Sequence, residues 1–61
     1  MKKIFETEVG GLKIRMFRAS KENYAVAYGA QLKTQLDYVE AAHEFGECLM
    51  HALQCDGKLD N

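Results

Sequence analysis

Gly10-Gly11 is the feature that most narrows the fold. The pair separates KIFETEV from LKIRMFR, two runs that carry β-branched and aromatic residues. Both glycines can take a positive φ, so a two-residue loop of this kind between such runs is a β-hairpin signal. The turn sets the register. Val9 opposes Leu12, Thr7 opposes Ile14 and Phe5 opposes Met16, all on one face. The other face then pairs Glu8 with Lys13, Glu6 with Arg15 and Ile4 with Phe17. Two pairs of opposite charge and one apolar pair support this register, because a slip of one residue would ruin both faces.

The run Ser20-Lys21-Glu22-Asn23 reads as the next turn. Beyond it Tyr24-Ala25-Val26-Ala27-Tyr28 alternates large and small side chains at period two, as a half-buried strand does. A three-residue loop places Tyr24, Val26 and Tyr28 in the core. A four-residue loop places Ala25 and Ala27 there, and Ile4, Phe17, Tyr24, Val26 and Tyr28 then form an exposed apolar patch of the kind that marks an interface. The first arrangement is expected, because a small domain needs the core volume. Gly29 ends this strand, and Leu32–Leu36 is a possible short fourth one.

Asp37 opens a helix. With Glu40 three residues on, it forms an aspartate version of the capping box. At 100° per residue, Tyr38, Ala41, Ala42, Phe45, Leu49, Ala52 and Leu53 fall within an arc of about 120°, flanked by Val39, Gly46 and Met50. That stripe is the expected core face. Gly57 is the expected residue after the C-cap. Gly46 in mid-helix costs about 1 kcal/mol relative to alanine and suggests close approach to the sheet or to a partner. The expectation is a single α+β domain over residues 1–61: an antiparallel sheet of three or four strands, β-β-β(-β)-α, with one C-terminal amphipathic helix on one face.

Length and composition narrow the class. The 61 residues from Met1 read as one complete small gene product. Two cysteines are too few for a stapled secreted scaffold. Glu6 and Glu8 interrupt any apolar leader after MKKIF, and YAVAYGA is far shorter than the ~20 residues of a membrane span. A reduced cytoplasmic setting is expected, with no membrane contact. The net charge of −1 conceals an asymmetry. Residues 1–36 hold seven basic and three acidic side chains, a balance of +4. Residues 37–61 hold six acidic side chains and Lys58, a balance of −5.

Cys48, His51 and Cys55 are zinc-type ligands, but two helical turns put the cysteines about 10.5 Å apart along the axis. The same distance forbids a disulfide between them in an intact helix. No metal or cofactor is expected. Cys48 beside His51 is a conceivable thiol–imidazole pair, yet one helix on a small sheet has no room for an enclosed cleft of ~300 Å³. The chain therefore reads as non-enzymatic. The acidic side of the helix is the stronger candidate. Glu40, Glu44 and Glu47 stand in one stripe with His43 and His51 beside them, and Asp37, Asp56 and Asp60 extend the charge. Such a stripe is either a plain solvated surface or a docking face for a protein with a basic surface. Carboxylates in a row can also stand in for phosphates in a Lys- and Arg-lined nucleic-acid channel.

A chain of this size, with Glu40, Glu44 and Glu47 on a helix over a small sheet, resembles the small anti-defence proteins of phages and mobile elements. These are the anti-CRISPR and anti-restriction inhibitors, some of which mimic DNA. The resemblance implies a cytoplasmic inhibitor of a host defence complex, acting by steric and charge blockade. The stretch AYGAQLKTQLDYVEAAHEF is also similar to antitoxins of the HicB type, where strands lead into a helix. That implies a regulator that binds nucleic acid. Read from the residues themselves, the cations that the register leaves unpaired are Lys2, Lys3, Arg18, Lys21 and Lys33, and Phe17, Tyr24 and Tyr28 are possible stacking platforms for such binding. A third reading is a homodimeric accessory protein joined by its outer sheet face.

Overall fold

The computed structural model describes residues 1–58. Four antiparallel strands form one open sheet in the order of the chain: β1 (Lys2–Val9), β2 (Leu12–Ser20), β3 (Asn23–Tyr28) and β4 (Gln31–Leu36). One helix, α1 (Tyr38–Cys55), follows and lies across one face. The fold is α+β, with the short fourth strand present.

The first hairpin turns at Gly10 and Gly11, whose φ angles are 57° and 82°. Two consecutive positive values match the twist of the flanking strands. The expected pairs Val9–Leu12, Glu8–Lys13, Thr7–Ile14, Glu6–Arg15 and Phe5–Met16 are all present. The expected pair Ile4–Phe17 is not. Ile4 is an extra residue in a β-bulge, and Phe17 opposes Lys3 instead. A bulge inserts one residue in one strand and bends it, which a strict count of alternation does not anticipate.

A similar device sets the face of β3. The turn is only two residues long, Lys21 and Glu22, and Ala19 is a bulged extra residue in β2. Turn and bulge together have the parity of a three-residue loop. Met16 therefore opposes Val26, Ile14 opposes Tyr28 and Arg18 opposes Tyr24. Val26, Tyr24 and Tyr28 contribute to the core under the helix, as expected. The exposed patch of Ile4, Phe17, Tyr24 and Tyr28 is thus not assembled: the two tyrosines belong to the helix side and Phe17 to the other. β4 carries a third bulge between its pairs with Val26 and Tyr24, where Gln35 takes a φ of 59°.

The helix ends as its sequence predicts. The Glu40 backbone N–H donates to Asp37 Oδ1 at 2.8 Å, and the Asp37 N–H donates to Glu40 Oε1 at 3.0 Å. Both halves of the capping box are present. At the other end Lys58 N–H reaches the Leu53 carbonyl at 2.9 Å and Gly57 N–H reaches that of Gln54 at 3.1 Å. This is a Schellman motif with Gly57 after the Asp56 cap.

The helix is rotated from the expected stripe. Its buried residues are Ala41, Cys48 and Ala52, which join Ile14 and Val26 in the core. Cys48, outside the expected arc, lies inside. Val39 and Met50 point outward, 69% and 54% exposed, and Tyr38, 72% exposed, sits edge-on to Tyr24 at 6.4 Å. The reason is bulk. The sheet offers Ile14, Met16, Val26 and two tyrosines, so the ridge closest to it has to be small. Phe45 then falls toward β1, where its ring meets Phe5 edge-on at 5.6 Å. Gly46 does not serve close packing on the sheet, since a Cβ built there meets nothing within 4 Å.

Candidate interaction surface

The six helix residues expected to form one charged ridge divide into three groups. Asp37 and Glu40 are engaged with each other's backbone in the cap. Glu44 and His51 turn toward the sheet. Lys33 Nζ, on β4, donates to Glu44 Oε1 at 3.1 Å. The Cys48 thiol donates to Glu44 Oε2 at 3.6 Å. His51 Nδ1 lies 2.9 Å from the Tyr28 hydroxyl, with the two rings edge-on at 5.8 Å. His43 and Glu47 remain outside, and His43 Nε2 stands 3.3 Å from Glu47 Oε1. Asp60 lies outside the described residues.

These contacts change the electrostatics of the stripe. The hydrogen bond and charge of Glu44 hold the Lys33 ammonium above its ordinary pKa. Burial first, and then the Glu44 carboxylate, push the Cys48 thiol up, so it is a protonated donor at neutral pH. Burial likewise raises the Tyr28 phenol. Glu44 is thus paired with a cation from β4. The outward carboxylate of the stripe is Glu47, with Glu40 at its N-terminal end.

Cys48, His51 and Cys55 do not converge. Cys55 Sγ lies 3.8 Å from His51 Nε2, whereas the Cys48 thiol is turned to Glu44. Among the described residues no three His, Cys, Asp or Glu side chains gather as a metal set. Beside the helix, Leu12, Tyr28, Gln31, Glu47, Cys48 and His51 line a groove of about 530 Å³ that is open to solvent along its length. A second shallow groove on the helix's outer surface is lined by Ala42, His43, Gly46, Glu47, Met50 and Gln54.

Two features of the surface escape a reading by charge alone. The first is the outward stretch of Val39, Ala42, Gly46 and Met50 beside Glu47. Its signal was available in the spacing of Ala41, Cys48 and Ala52, three small residues on one line that only a bulky sheet would select as the inner ridge. The second is Arg15. Its expected partner Glu6 accepts instead from Lys3 Nζ at 2.7 Å. Arg15 Nε is buried without an acceptor among the described residues. Among the described residues no helix is long and apolar enough to cross a membrane. Comparison with protein-family models, curated proteins and solved structures finds no match.

Proposed function

We propose that the chain is a non-catalytic interaction module that docks the outer surface of α1 on a protein with a basic surface. The observation that carries this reading is the outward rotation of the helix. It leaves Val39 and Met50 exposed beside Glu47, with open space over Gly46. Apolar side chains bordered by carboxylates suit a partner whose own surface has apolar hollows rimmed by Lys or Arg. In its most specific form the partner is a host defence complex, CRISPR or restriction type, whose nucleic-acid-binding surface is blocked. Glu47 and Met50 are the principal contacts, His43 and Glu40 flank them, and Glu44, His51 and Asp37 hold the helix in place.

The test is inhibition of DNA binding by purified defence effectors. The informative variant is Glu47→Lys with Met50→Asp, because neither residue touches the core or the cap. Glu40 is better left alone or changed to Gln, which preserves the capping box. The expected result is loss of inhibition at unchanged helicity. Wild-type protein that inhibits none of the effectors, or a variant that inhibits as well as wild type, would sink the reading.

A further inference from the structure

Half of the outer sheet face breaks a rule that the other half keeps. An antiparallel sheet with one solvated face places polar residues outward along each strand. β1 and β2 do this with Glu6, Glu8, Lys13 and Arg15. β3 instead has Ala25 and Ala27 on that side, already buried at 0% and 6% exposure, while Val26 faces the helix. Their cross-strand neighbours on that face are Phe17, opposite Ala25, and Leu32, opposite Ala27. The result is a shallow trough lined by Met1, Arg15, Phe17, Ala27 and Leu32. No other element of the described chain covers it. Arg15 borders the trough with its unsatisfied Nε.

The opposite side of the molecule carries the complement. The strands and their turns, residues 1–36, hold seven basic and three acidic side chains, a balance of +4. The helix and its caps, residues 37–58, hold five acidic side chains and one lysine, a balance of −4. The molecule is therefore polarised across its thickness, positive in the sheet layer and negative in the helix layer. Each layer also has an uncovered apolar strip: the trough on one side, and Val39, Ala42, Gly46 and Met50 on the other.

We propose that the occupant of the trough is the helix of a second copy, docked head to tail. Val39 and Met50 lie along Phe17, Ala27 and Leu32, Ala42 and Gly46 permit close approach, and Glu47 meets Arg15. Charge complementarity selects this arrangement over its rivals. A symmetric helix-to-helix dimer would bring two negative layers together, and a sheet-to-sheet dimer would oppose two Arg15 side chains. A head-to-tail contact leaves one free trough and one free helix at its ends, so it extends to larger oligomers unless it closes in a ring. The contact uses the helix surface assigned above to a partner, but the proposal is independent of that partner. It is tested on the pure protein, so either reading can fail alone.

The experiment is sedimentation of the full chain from low micromolar to near-millimolar concentration, at low and high salt. The weight-average mass should pass that of a dimer as concentration rises, and fall as salt screens the charges. Arg15→Glu and Glu47→Lys should each weaken self-association by about tenfold or more. An equimolar mixture of the two single variants should regain oligomers, because each contact then joins either the native pair of charges or the same pair exchanged. The double variant, with both charges exchanged in one chain, should regain oligomers. Circular dichroism of each variant confirms that it is folded. A monomer at every concentration would overturn the proposal. So would a dimer that both single variants leave intact, or an Arg15-dependent complex with a single-stranded oligonucleotide in place of self-association.

Discussion

Gly46 and Gly10 show how the same residue type answers to different constraints. Gly46 sits in a helix interior with open space where a side chain would be. Gly46→Ala should therefore stabilise the dilute protein by about 1 kcal/mol in urea unfolding, the helix-propensity difference alone. Gly10 has a φ of 57°, and a Cβ there would meet Asp56 Oδ1 at 2.7 Å. Gly10→Ala should destabilise by more than about 1 kcal/mol in the same assay, since it adds backbone strain to a steric clash. The two cysteines divide likewise. Cys48 is buried and its thiol is held protonated, whereas Cys55 is exposed. A thiol-reactive chromophore at mildly alkaline pH should label one site quickly. The second should react only as fast as the core opens, and equal rates would refute the placement of Cys48.

At the scale of elements, the turn at Gly10-Gly11 and the capping box could be read from the chain because both depend on neighbours in sequence. The bulges at Ile4, Ala19 and Gln35 could not, because a bulge answers to the twist of the assembled sheet. Its effect on the reading was uneven. It broke the Ile4–Phe17 pair, yet at Ala19 it preserved the face of β3. The helix stripe was displaced for a related reason. Periodicity locates an apolar side, but the bulk of the opposing sheet decides which ridge goes in, and so Cys48 is buried while Ala42, expected in the stripe, is exposed. The candidate site suffered most. Three glutamates on one stripe looked alike until Lys33 on β4 claimed Glu44. That tie has a pH signature. The pKa of Lys33 is raised above its ordinary 10.5 in the fold, so its contribution is fully present below that value. It is lost as pH rises through the higher folded value. A Lys33→Met variant should show a flatter loss of stability above that pH than wild type in alkaline thermal melts.

The whole molecule is two layers with little between them. Ile14 is the only large side chain that is fully buried among the described residues. Replacing such a residue by alanine costs roughly 2–5 kcal/mol. A single core at this size supplies roughly 3–5 kcal/mol in all. Ile14→Ala should therefore be largely unfolded by circular dichroism at room temperature, whereas Leu32→Ala on the outer face should keep its fold in the dilute protein. A chain so close to its limit gains from any second surface that covers it, which is where an interaction module and a self-associating one share their physics.

Ile14 and Val26 also impose an order in time. Their cover, Ala41, Cys48 and Ala52, belongs to the last element of the chain. After Leu36 is added, synthesis at about 5–20 residues per second takes roughly 1–4 s to deliver the rest of the helix. Hairpins form in microseconds, so the strands can pair and separate many thousands of times before anything shelters their inner face. Throughout that wait the charges of Glu6, Glu8, Lys13 and Arg15 help keep one nascent sheet from adhering to another. Those side chains act as chaperones to the chain's own unfinished state before they take part in any finished one.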